Sequence, residues 1–123
     1  MSGLSESLHQ ILAVDGAAAA AVVDAATGMI VSSASAGAAE FRVAAAASAA
    51  EETRWVKAAL GPSRPGGDLE EMLMATASRF HLVKVLNRWP DEGLLLFVDL
   101  DRSRTNIALA VQQVGRAAAG LLA

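Results

Sequence analysis

Leu94-Leu95-Leu96-Phe97-Val98 is apolar at every position and runs directly into Asp99-Leu100-Asp101. Successive side chains of a strand point to opposite faces, so a strand of this kind has no wet side. It belongs in the middle of a sheet covered by helices on both faces. Working outward, Leu69 to Ala77, Phe80 to Leu86 and Gly93 to Leu100 read as three strands, separated by Ser78-Arg79 and by Asn87 to Glu92. Beyond them Asp101 is placed as the N-cap of a final helix. In that helix Ile107, Val111, Val114, Ala118 and Leu121 recur at helical spacing, and Gln112, Gln113 and Arg116 fall on its wet side.

The front of the chain carries the complementary half. Leu4, Leu8, Ile11 and Leu12 predict a short amphipathic helix that ends before Gly16. Ala17 to Asp24 and Met29 to Ser33 predict a hairpin closed by Ala25-Ala26-Thr27-Gly28. A long helix follows from Gly37 to Leu60, stopped by Gly61-Pro62. Phe41, Ser48 and Trp55 mark one stripe of it, expected to be core. Val43, Ala46, Ala47 and Ala50 occupy the opposite side, where a surface helix would carry charge. A helix apolar on two sides needs covering on two sides. The order is α-β-β-α-β-β-β-α in one α/β (α+β) domain over residues 1–123, with a five-stranded antiparallel sheet and helices on both faces.

Composition narrows the function classes. Of the 123 residues 54% are apolar and 19% charged, which is a globular balance on the hydrophobic side. A net charge of −3 gives no basic stripe for displacing counterions from phosphate, so no nucleic acid partner is expected. There is no cysteine, hence no disulfide or thiolate metal site. The start of the chain lacks a basic and an apolar leader segment, and runs such as Ala17 to Val23 are far short of a bilayer. A cytoplasmic location without membrane insertion is expected. The skew toward Ala, Gly and Arg suggests a GC-rich bacterial source.

No motif carries chemistry well. Asp99-Leu100-Asp101-Arg102-Ser103 superficially resembles an aspartyl phosphotransferase motif, but too little chain follows it to supply the remaining catalytic groups. Gly61-Pro62-Ser63-Arg64-Pro65 has Pro where a nucleophile elbow needs Gly. His9 and His81 form no pair at metal-ligand spacing, and Glu70 and Glu71, adjacent in a strand, point to opposite faces. No phosphate-binding glycine loop occurs. The chain is therefore expected to be no enzyme and to hold no cofactor. Trp89, beside Arg88 in the loop before the last strand, is either a partner anchor or a ring covering the open end of the sheet.

Val14-Asp15-Gly16-Ala17, Val22-Val23-Asp24 and Thr27-Gly28-Met29-Ile30-Val31 resemble the first hairpin of the roadblock/dynein light-chain family. Leu94 to Asp99, Arg102 and Asn106-Ile107-Ala108-Leu109-Ala110 resemble its last strand and the opening of its last helix, with Val111 where a basic residue often follows. The resemblance implies a profilin-like, roadblock architecture. It also implies a homodimer in which the middle helix packs on its symmetry mate and the third strand pairs edge to edge. In this chain that interface would draw on Val43, Ala47, Ala50 and Arg54 from the helix and on Glu71 and Leu73 from the strand. Family members commonly serve as platforms or regulators of Ras-like small GTPases, which makes a non-catalytic bacterial regulator or scaffold the leading expectation. A small-molecule sensor module and a structural adaptor without a GTPase partner are the alternatives.

Overall fold

The computed structural model describes residues 2–36, 43–60, 69–86 and 93–121. Along the chain these form α1 (Ser2–Leu12), β1 (Ala17–Asp24), β2 (Ile30–Ser35), α2 (Val43–Leu60), β3 (Glu71–Ala75), β4 (Arg79–Val85), β5 (Leu94–Asp101), a 3-10 turn (Arg102–Arg104) and α3 (Ile107–Leu121). The strands form one sheet in the order β2-β1-β5-β4-β3, antiparallel throughout. The α+β architecture expected from the sequence is the one present.

β5 lies at the centre, as its two apolar faces require. Leu96, Val98 and Leu100 turn to one side and join Ala20, Val22, Phe80 and Leu82 beneath α1 and α3. Leu95 and Phe97 turn to the other and join Ala21, Val23 and Val83 beneath α2. Register carries the alternation across the sheet: Phe97 faces Ala21 on one flank and Val83 on the other. On the first side, Leu8 and Ile11 of α1 close against Val114, Ala117 and Ala118 of α3.

The hairpin turn explains why β2 begins at Ile30 and not at Met29. Asp24 Oδ1 accepts the N–H groups of Ala26 at 2.8 Å and Thr27 at 3.3 Å, and Met29 O accepts the N–H of Asp24 at 2.8 Å. Met29 therefore closes the turn. Gly28 takes φ +76° there, a left-handed conformation that costs a side-chain-bearing residue energy.

Two expectations are corrected. The buried side of α2 carries small residues: Ala49, Ala50 and Thr53 are 2%, 0% and 1% exposed. Trp55, expected in the core, is 72% exposed. Five residues of helix separate Ala50 from Trp55, a rotation of about 140°. Small residues let the helix backbone settle close on the sheet, whereas the indole would hold it away. Phe41, the other aromatic of that stripe, lies outside the described residues. The second correction is at Asp101, which caps the 3-10 turn by accepting the N–H and hydroxyl of Ser103 at 3.1 and 2.8 Å. α3 starts later, where Asn106 Oδ1 accepts the N–H of Leu109 at 3.2 Å.

Candidate protein interface

Two features of the sheet and of α2 lack a cover among the described residues. One is the β3 edge. Among the described residues β3 pairs only with β4, and alternation turns Met72 and Met74 toward the α2-side core while Glu71, Leu73 and Ala75 are exposed. α2 lies over β1 and β5, so the methionines stand at the margin of that core, half covered. Leu73 is 46% exposed, and Glu71 Oε1 is held 3.6 Å from Lys84 Nζ on the neighbouring strand.

The other is the outer face of α2. Ala47, Ser48, Glu51, Arg54, Trp55, Ala58 and Ala59 are all exposed, and Glu51, Arg54, Trp55 and Ala58 line a shallow cleft. The expected interface residues divide accordingly. Ala47, Arg54, Glu71 and Leu73 are on the surface. Ala50 is not: it is fully buried against the sheet and has no surface to offer a second chain, because it belongs to the side of α2 that supports the helix. The side chain of Val43 and the whole of Trp89 lie outside the described residues.

Arg54 has a further role that helical spacing did not reveal. Its Nη1 donates to Ala25 O at 2.8 Å and lies 3.3 Å from Ala26 O, gripping the β1–β2 turn from above. A second point of attachment is Gly28, packed on the backbone of Ala47. Met29, next in the chain, is 68% exposed. Turn and helix are thus joined at two points, with Met29 and Trp55 exposed beside them. Nothing in local periodicity announces that junction, although the bulk of Trp55 beside so many alanines was a usable signal.

Several polar groups on and beside β4 and β5 are engaged with one another. Asp99 Oδ1 accepts Arg79 Nε at 2.9 Å and lies 3.5 Å from His81 Nε2, and the His81 ring meets Phe97 edge-on at 5.3 Å. Asp99 is therefore engaged by the Arg79 guanidinium. The hydroxyl and N–H that Ser103 donates to Asp101 hold its carboxyl below the usual carboxylate range. Arg102 donates to Thr76 O at 2.8 Å and sits 5.2 Å from the centre of the Phe80 ring. Among the described residues no three His, Asp or Glu side chains are grouped to hold a metal ion, and no helix is long and apolar enough to cross a membrane.

No family model and no curated protein matches the sequence. Solved structures do match the fold. MglB of Myxococcus xanthus superposes with a TM-score of 0.81 at 14% identity, covering 98% of this chain and 86% of that one. The gliding protein MglB of Thermus thermophilus gives 0.78 at 19% identity, covering 98% and 87%. A Roadblock/LC7 domain from Streptomyces avermitilis gives 0.75 at 16% identity, covering 92% and 88%. Element order, sheet topology and these superpositions agree: the chain has the bacterial roadblock-domain fold.

Proposed function

We propose that this chain is a non-catalytic homodimeric regulator or scaffold that binds a Ras-like small GTPase in a bacterial signalling or motility system. The observation that carries the reading is an open β3 edge, with Met72 and Met74 half covered beside it, in a sheet whose α2 has an exposed outer face bearing Ala47, Ser48 and Trp55. A second copy paired along β3 would remove the unpaired edge and bring a second α2 over the methionines. The two α2 helices would then form a platform edged by Trp55 and Met29, large apolar side chains of the kind that anchor interfaces. A partner bound there is regulated if the platform favours one arrangement of its switch segments over another. The likeness to a gliding protein supports the motility setting.

Affinity capture of the tagged chain from its native lysate, with and without a non-hydrolysable GTP analogue, tests this reading. It expects a small GTPase whose recovery changes with nucleotide. A folded, dimeric bait that recovers no GTPase under either condition overturns it and leaves the adaptor.

A further inference from the structure

We propose that the opposite edge of the sheet, β2, pairs antiparallel with β2 of a second copy about a two-fold axis at Ala34. This goes beyond the β3 dimer and does not depend on it.

β2 is an edge strand with neither charge nor proline, Ile30-Val31-Ser32-Ser33-Ala34-Ser35. Natural edges are ordinarily protected by such residues, by bulges or by a cover. Here the bulge sits at one end only, where Val31 has no partner between Ser32, opposite Val22, and Ile30, opposite Val23. Val31 is 53% exposed. From Ser32 to Ser35 the register is regular.

The hydrogen-bond phase shows which backbone groups are open. Ala36 donates its N–H to Ala18 O at 2.8 Å, and Ser35 lies opposite Ala19. Residues of an antiparallel ladder aim both backbone groups at the same neighbour, alternating along the strand. Ala34 and Ser32 therefore face β1, while Ser33 and Ser35 aim their N–H and C=O groups away from the sheet.

Two open residues, spaced by two, are self-complementary. With the axis at Ala34, Ser33 of one copy stands opposite Ser35 of the other, and each such pair exchanges both backbone bonds. All four hydroxyls lie on the α2 side, because Ser33 and Ser35 share a face and Ser33 is opposite Ala21 of that core. Facing serines can hydrogen-bond across the strands, and no like charges meet. A second copy thus satisfies every open group of the regular segment with the same groups of its own. The pairing also joins two sheets into one.

The test is the mass of the full chain in solution by chromatography with light scattering across a dilution series, with circular dichroism to confirm folding. Ser33→Pro removes only an outward N–H and leaves the β1–β2 ladder intact. At a concentration where the wild type forms the larger species, Ser33→Pro lowers the mass to that of the species held together without β2. Ser33→Lys/Ser35→Lys, which sets lysines opposite one another, does the same, and Ser33→Lys/Ser35→Glu restores the wild-type mass. A folded Ser33→Pro variant with wild-type mass at every concentration overturns the inference. Leu73→Lys probes β3 separately. If Leu73→Lys lowers the mass and Ser33→Pro does not, the β3 dimer stands and the β2 pairing falls; the reverse result sustains β2 and removes β3. A wild-type chain that stays monomeric throughout overturns both.

Discussion

A β carbon built on Gly28 would stand 3.0 Å from the Cα of Ala47, a contact between hairpin turn and helix that no side chain separates. Gly28 also has φ +76°, so a substitution meets backbone strain and crowding together. Gly28→Ala is expected to cost about 1–3 kcal/mol, measured by urea unfolding. A neutral result would show that the turn can move off α2.

Arg54 grips the same turn through Ala25 O and Ala26 O. Arg54→Met keeps the aliphatic stem and removes the donors. The expected loss is about 1 kcal/mol, with faster amide exchange confined to Ala25–Met29. Uniform acceleration across the chain would contradict a local clamp.

The inverted orientation of α2 sets two substitutions against each other. Ala50→Leu overfills a fully buried site and is expected to cost about 1–3 kcal/mol. Trp55→Ala, at a position 72% exposed, costs less. Thermal melts of the two variants decide it, and the opposite ranking would mean that Trp55 is covered within the chain.

Asp99 is the acceptor for Arg79, with the two side chains 29% and 34% exposed. Screening by solvent keeps such a pair weak, so Asp99→Asn is expected to cost about 0.5–1 kcal/mol at low salt and less in 1 M salt, by denaturant titration.

At Asp101 the folded carboxyl is held below its ordinary value by the donors of Ser103. A depressed folded pKa stabilises the fold above the unfolded value and loses that stabilisation as pH falls through the folded one. Ser103→Ala, which keeps the N–H and removes the hydroxyl, is expected to move the Asp101 titration upward by carboxyl NMR. An unmoved titration would assign the depression to the remaining donor and charges.

The sheet and its flanking helices could be read from the sequence because β5 and α3 each have one consistent apolar pattern. α2 offered two, aromatic and alanine, and periodicity cannot choose between them. The choice is made by how close a helix must approach β1, where Ala21 and Val23 lie beneath it. Asp101 has the chemistry of a cap, but so does Asn106 a few residues later, and the spacing alone does not say that the first serves the 3-10 turn and the second α3. Arg54 with Ala25, and Arg79 with Asp99, are pairs formed by topology between residues distant in sequence. Neither partner carries a local mark of the other.

The central place of β5 also sets the order in which the fold can assemble. Its partner on one flank is β1, with Ala17 opposite Leu100, so the middle of the sheet joins segments far apart in sequence. The hairpins β1–β2 and β4–β5 can form early from near neighbours, but the seam between them closes only after β5 has left the ribosome, long after β1, which favours slow folding. Until then β1 waits with an open flank. Ala17 to Ala21 carry neither charge nor proline to mask the backbone groups of that flank, so it is β5 itself that must cover them.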